Sequence, residues 1–257
     1  MRYIHVGVAA EGDTDLILIE ELIVHITKNE NVLIKRLQPS GDSEIHRSNG
    51  WRGVGKWCQE DLIGGINEYI NGIDPKLDYL IIQLDGDVSR EGLIFCPDQK
   101  IKCKDEGKAS PLDCKTAYRG DCPIDGRSML PAVPISIKVE FLRKKICEWI
   151  GGDDCLDKVI ICIPCDNLET WILAAYNGEQ YHHPPQHPIE SWENPAAVIA
   201  HKKSFCGIEI PRKGSGKLIK NKVFYSNVFV PKVIEEWDRV KAMCEQAAAF
   251  ERDILQK

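Results

Sequence analysis

The chain has 257 residues, of which 43% are hydrophobic and 28% charged, with a net charge of −6. These proportions exclude a largely disordered chain, and the negative balance excludes a protein coated in basic residues for gripping nucleic acid. No apolar run approaches the ~20 residues of a membrane-spanning helix, and at this length one large domain with an insertion or a tail is expected.

Residues 3–9 form an apolar run that meets Glu11 and Asp13 at once, so they read as a first strand and not as a secretion leader. The turn Glu11-Gly12-Asp13 should open a helix over about 14–28, with Asp13 as its N-cap and Leu16, Ile19, Leu22, Ile23 and Ile26 on one face. A short strand is expected at 32–37, then a polar, Gly-rich loop over 38–55 and a helix over about 56–70. Residues 78–85 are a nearly continuous apolar run ending in acid, the pattern of a parallel strand buried on both faces. Residues 92–134 lose periodicity and read as a Cys-rich insertion. A helix over about 135–150, a strand at 158–163 and a helix over about 168–176 resume the alternation. A Pro- and His-rich loop at 180–195, a basic segment at 201–222 and a C-terminal helix over about 232–255 complete the chain. This alternation predicts an α/β fold, with a mainly parallel sheet flanked by helices. The expected division is a core over 1–200, interrupted by 92–134, followed by 201–257.

Ligands of parallel α/β sheets gather at the carboxyl ends of the strands, and three of the predicted strands end at acids. The first runs into Glu11, the third into Asp85-Gly86-Asp87, and the fourth passes through Pro164 to Asp166 and Glu169. Clustered carboxylates repel one another unless a cation neutralises them, and oxygen-only ligands suit Mg²⁺ or Mn²⁺. Any one of these acids alone is more simply a turn residue or a helix cap.

The combination Val-Gly-Val-Ala-Ala-Glu11-Gly12-Asp-Thr-Asp15 with Leu-Ile-Ile-Gln-Leu-Asp85-Gly-Asp87 resembles the TOPRIM domain, shared by topoisomerases, primases, small ribonucleases and the overcoming-lysogenization-defect nucleases. The resemblance implies a Rossmann-like TOPRIM fold, with Glu11 as general acid or base or as metal ligand and Asp85 and Asp87 as ligands of Mg or Mn. Ile-Pro-Cys-Asp-Asn-Leu-Glu169-Thr-Trp171-Ile-Leu-Ala is similar to the Glu-x-Trp-x-Leu-Ala signature of small TOPRIM-like proteins from bacterial anti-phage loci, which adds Glu169 as a fourth catalytic acid. A structural Glu169 at a helix N-terminus is the rival reading. The resemblance covers about residues 1–90 and 135–178. It departs from the family pattern in the insertion after Asp87 and in the Ala9-Ala10 that precedes Glu11.

Residues 201–222 hold seven Lys and Arg against Glu209 alone, a local charge of +6 that leaves −12 for the rest of the chain. Within this segment Arg212, Lys213 and Lys220 are expected to bind phosphate, and Lys213 or Lys217 to stabilise charge on the scissile group. A solvated loop is the plainer reading. Gly50-Trp-Arg-Gly-Val-Gly55-Lys56 has P-loop-like spacing, but Trp57 stands where Ser or Thr is needed, so no NTPase is expected. Arg52 and Lys56 remain candidates for substrate contact beside Trp51 and Trp57, whose plainer place is the core.

Cys96, Cys103, Cys114 and Cys122 fit either a four-thiolate structural zinc site or four unliganded thiols, with an iron–sulfur cluster as a third alternative. Cys162 and Cys165 read as core filling, and His182, His183 and His187 as loop residues.

The expectation is therefore a cytoplasmic, divalent-metal-dependent nuclease. The resemblance implies an anti-phage effector cutting DNA or RNA, tRNA included, restrained by an ATPase partner; a homo-oligomer is a further expectation. Two other classes stand beside it. One is a non-catalytic subunit that binds nucleic acid or a partner, using the stripe Val233, Trp237, Val240, Met243 and Cys244. The other is a phosphohydrolase of nucleotides.

Overall fold

The first apolar run forms β1 (Ile4–Ala9), which leads through a short turn into α1 (Asp13–Thr27) and β2 (Val32–Gln38). At Gly50 the backbone takes φ +85°, a conformation open to glycine, and launches α2 (Trp51–Asp61), followed by α3 (Ile66–Gly72) and β3 (Tyr79–Gln83). A 3₁₀ turn over Gly86–Arg90 follows. Next come α4 (Ile135–Trp149), β4 (Val159–Cys162) and α5 (Glu169–Ala175). A 3₁₀ turn at Ile189–Ser191 precedes α6 (Pro195–His201) and a small hairpin of β5 (Ser204–Phe205) and β6 (Ile208–Glu209). The chain ends in α7 (Lys222–Phe224), a π-helical turn at Tyr225–Phe229, α8 (Val230–Glu235), α9 (Trp237–Met243) and α10 (Glu245–Leu255). This computed structural model describes residues 3–29, 31–39, 49–90, 135–152, 157–176, 188–201, 204–214 and 216–257.

The main sheet has the order β2-β1-β3-β4 and every pair in it is parallel. Alternate side chains of a strand point to opposite faces, and the core divides accordingly. Val6, Val8, Tyr79, Ile81, Ile160 and Cys162 face α1, α5 and the C-terminal helices. Ala9, Leu80, Ile82, Val159 and Ile161 face α2, α3 and α4. The sheet is therefore buried on both sides, which is why its strands lack polar alternation.

The connection from β1 to β2 runs over one face through α1, and the connection from β2 to β3 over the other through α2 and α3. The order reverses at β1, so the chain leaves β1 toward one face of the sheet and β3 toward the other, and a crevice lies at their carboxyl ends.

Several boundaries differ from expectation, each for a physical reason. Gly12, not Asp13, is the N-cap of α1. The helix expected over 56–70 is two helices that begin at Trp51 and are separated around Gly64 and Gly65, the latter at φ +91°. The single C-terminal helix is three. Cys244 is extended (φ −128°, ψ 108°), and the next turn is capped from afar, with the backbone N–H groups of Glu245 and Gln246 donating to Glu190 at 2.9 and 3.0 Å. Val233, Trp237, Val240 and Cys244 are core residues packed with α1 and α5, so residues 201–257 share one core with the sheet. Trp171 meets Trp237 edge-on with ring centroids 5.6 Å apart. Among the described residues no helix is long and apolar enough to cross a membrane.

Candidate active site

Gln83, fully buried at the end of β3, ties two strand ends together. Its Oε1 accepts the backbone N–H of Glu11 (3.0 Å), and its Nε2 donates to Oδ1 of Asp85 (2.8 Å). The backbone N–H of Asp85 in turn donates to Oε1 of Glu11 (2.7 Å). The acids after β1 and β3 thus meet in the crevice through direct bonds, although they lie 74 residues apart in the chain. Gln83 was not among the expected site residues. An amide inside the run Leu-Ile-Ile-Gln-Leu was its signal, since a buried polar side chain needs partners.

Beyond β3 the ladder with β4 continues past the strand ends. Leu84 N–H donates to Cys162 O (3.1 Å), Gly86 N–H to Pro164 O (3.0 Å) and Asp87 N–H to Asp166 O (2.8 Å). Glycine is required at 86, because a Cβ there would collide with the carbonyl of Cys165. This fit carries Asp85 into the crevice and leaves Asp87 partly exposed beside it. The Asp166 carboxylate accepts the Asn194 N–H at 2.8 Å and serves the loop before α6.

A second group of acids lies against the first. Asp15, one helical turn beyond Glu11, is buried, accepts the N–H of the cap residue Gly12 and so completes half of a capping box. Glu169, fully buried in the first turn of α5, accepts the Tyr225 hydroxyl at 2.6 Å through Oε1, while its Oε2 has no hydrogen-bond partner. Lys220 joins the groups, with Nζ 3.0 Å from Glu169 and 3.6 Å from Asp15. Lys222 pairs with Asp13 at 2.8 Å. The carboxylates of Glu11, Asp13, Asp15 and Asp85 and the ammonium groups of Lys220 and Lys222 line a cavity of ≈ 300 Å³, closed on one side by Asn49 and Gly50 ahead of α2.

The electrostatics follow from burial. Glu11 is pushed up to about 8 by desolvation, opposed by the Asp85 N–H and reinforced by the charges of Asp87 and Asp15. Burial also raises Asp15 to about 6, with Lys220 opposing and Glu169 adding to the rise. Asp85 is driven well above the carboxylate range by burial and by Glu11. For Lys220, burial acts to lower the pKa, but the carboxylates of Glu169, Asp15 and Asp85 hold it well above its usual value. Burial and the Glu169 charge raise Tyr225, so its hydroxyl stays a donor.

The donors of Glu11, Asp85 and Asp87 suit a hard divalent cation, since they are oxygen atoms carrying mutually repelling charge in a partly dry crevice. Among the described residues, no three His, Cys, Asp or Glu side chains converge in a metal-site arrangement. Lys220 and Lys222 set positive charge against this cluster, pairing with Glu169, Asp15 and Asp13.

The structure brings Glu11, Asp85, Asp87, Glu169 and Lys220 together and leaves the other expected residues outside. Lys217 and Lys213 are exposed around the turn that the Arg212–Leu218 bridge closes. Arg212 donates to the carbonyls of Ala200 and His201 at 3.4 Å and borders a second groove. Arg52 lies 5.6 Å over the Trp51 ring, which stacks on Trp149, and Lys56 is 3.7 Å from Glu60 on the surface of α2. Trp57 is core, as its plainer reading had it. Cys162 and Cys165 are buried with thiols pushed up by desolvation, which fits core filling. Cys96, Cys103, Cys114 and Cys122, with His182, His183 and His187, lie outside the described residues. Asp15 and Tyr225 were not anticipated. Asp15 had a signal in its spacing of four from Glu11, whereas Tyr225 reaches Glu169 only through the path of the C-terminal segment. No family model, curated protein or solved structure matches the chain.

Proposed function

We propose that the chain is a divalent-metal-dependent phosphodiesterase acting on nucleic acid. The observation that carries the reading is the direct Asp85 N–H to Glu11 bond, which joins the acids of two strands at the point where ligands of parallel sheets bind. Glu11, Asp85 and Asp87 would hold Mg²⁺ or Mn²⁺. When bound, such an ion polarises a phosphoryl oxygen and lowers the pKa of a bound water. Glu11 takes or gives a proton at Oε2, the oxygen that the Asp85 N–H leaves open. Lys220 is drawn to its place by Glu169 and Asp15 and offers positive charge to a non-bridging phosphate oxygen as negative charge builds there. Tyr225 orients Glu169. The resemblance to TOPRIM-like proteins of anti-phage loci extends the reading to a defence effector that cuts DNA or RNA, tRNA included, under an ATPase partner. A structural zinc on the four clustered cysteines belongs to the same proposal.

The test is cleavage of plasmid DNA, single-stranded DNA, total RNA and tRNA with Mg²⁺ or Mn²⁺, with EDTA, and with Glu11→Ala and Asp85→Ala. Cutting that needs metal and disappears in both variants is the expected result. A second reading, a non-catalytic subunit, is favoured by the ion pairs that already engage Lys220 and Lys222 with Glu169, Asp15 and Asp13. It predicts no uptake of Mg²⁺ or Mn²⁺ by calorimetry and no cutting.

A further inference from the structure

A groove of ≈ 560 Å³ lies on the other side of the chain segment that carries Lys220, and the acidic site makes no use of it. Its lining includes Ile210, Pro211, Arg212, Ile219 and Phe224, with Glu209 as the one acid among the described residues. The segment 219–224 is a shared wall. Ile219 and Phe224 turn to the groove, whereas Lys220 and Lys222 turn to the acidic cavity. Neighbouring Cα atoms are about 3.8 Å apart, so the two depressions are separated by little more than one strand of backbone.

The two depressions differ in chemistry in a way that assigns an occupant. The cavity pairs acids with ammonium groups, as a phosphoryl centre requires. The groove sets the apolar Ile210, Pro211 and Ile219 and the aromatic Phe224 beside the Arg212 guanidinium and the Glu209 carboxylate, and that carboxylate disfavours a phosphate within it. An uncharged, flat, partly polar ring suits that lining, and the surrounding segment carries +6 over 22 residues, which complements a polyanion. Phe224 is held upright by a perpendicular contact with Phe229, with centroids 5.0 Å apart, and its backbone N–H is capped by the Asn221 side chain at 3.0 Å. The aromatic wall is thus fixed before any ligand arrives, which lowers the entropic cost of binding.

We propose that this groove receives an unpaired nucleobase flanking the phosphate bound at Lys220. The substrate is then a single-stranded nucleic acid or an unpaired loop, because a base in a duplex is stacked and cannot enter without being flipped out. The inference rests on the phosphodiesterase reading for the placement of the phosphate, but base binding is measurable without any cleavage.

The experiment uses the full chain in EDTA and fluorescence anisotropy with a labelled single-stranded oligonucleotide, the same strand with one abasic nucleotide placed at successive positions, and its duplex. The wild type is expected to bind the intact strand about tenfold more tightly than the strand that is abasic at one particular position, and than the duplex. Phe224→Ala and the milder Ile219→Ala should each remove that difference while leaving the affinity for the abasic strand unchanged. The abasic series needs no variant, so misfolding of Phe224→Ala cannot obscure it. Equal affinity for intact and abasic strands at every position, or for strand and duplex, overturns the groove even if metal-dependent cleavage is present. Base-dependent binding without cleavage under Mg²⁺ or Mn²⁺ upholds the groove and overturns the nuclease reading. No binding of any of the three probes overturns the groove.

Discussion

Glu11 is asked to be a charged group and is placed where charge is costly. Burial, with the charges of Asp87 and Asp15 and against the Asp85 N–H, lifts it from 4.5 to about 8, so the folded chain keeps a proton there that the unfolded chain releases. A carboxyl whose pKa is raised by folding contributes its full stability below the unfolded value and loses it as pH rises through the folded value. Asp15, lifted to about 6, acts in the same direction over a lower window. The metal-free protein should therefore melt at a lower temperature at pH 8.5 than at pH 5.5, by on the order of 5 °C. Glu11→Gln, which cannot ionise, should flatten the dependence between pH 6 and 8.5, as scanning calorimetry across that range would show. A melting temperature that rises with pH in the wild type would remove the basis for a protonated Glu11. Glu169, fully buried in α5, has both the Tyr225 hydroxyl and the Lys220 ammonium at its Oε1.

At the scale of elements, the site depends on how closely the β3–β4 ladder runs past its strand ends. Gly86 passes directly over the Cys165 carbonyl, and backbone on both sides cannot yield. Gly86→Ala should cost about 1–3 kcal/mol by overpacking, read as a lower urea midpoint. Gly64→Ala is the control, because its Cβ would meet only the flexible Glu68 carboxylate and should leave the midpoint within experimental scatter. Equal effects in the two variants would mean that the ladder is looser than drawn. The elements also mark what a sequence can disclose. The apolar runs ending at Glu11 and Asp85 announced buried parallel strands, and with them the carboxyl-end cluster, because period and burial are local properties. The break of the C-terminal helix at Cys244 was not legible, since it is set by Glu190 reaching the N–H groups of Glu245 and Gln246 from 55 residues away. The choice among the basic residues was hidden for a similar reason. Lys217 and Lys220 are alike in sequence, but the turn closed by the Arg212–Leu218 bridge and the Ile219 N–H to Pro211 bond leaves one in solvent and the other against the acids.

Across the whole molecule, charge is segregated: residues 201–222 carry +6 and the remainder −12. A polyanion approaching such a chain is repelled by most of its surface and attracted by one segment, which orients it before contact. Within that segment Lys220 and Lys222 are already engaged by Glu169, Asp15 and Asp13, while Lys213 and Lys217 extend into solvent on the turn above. On the phosphodiesterase reading the inner pair would act on one phosphate, and the outer pair would exchange counterions with the strand beyond it. Binding of a single strand to the wild type should weaken with salt. Each phosphate contact adds roughly −0.7 to the slope of log K against log salt. Lys217→Ala should make the slope shallower by about that amount and reduce affinity alike for intact, abasic and sequence-varied strands, because a phosphate contact reads no base. Lys144→Ala provides the comparison, as Lys144 pairs with Glu140 on α4, over the other face of the sheet, and its loss should leave the slope unchanged. Titrations at four salt concentrations distinguish the outcomes. A slope unaffected by Lys217→Ala would place the polyanion elsewhere on the surface, whereas a slope changed equally by Lys144→Ala would mean that net charge alone governs binding.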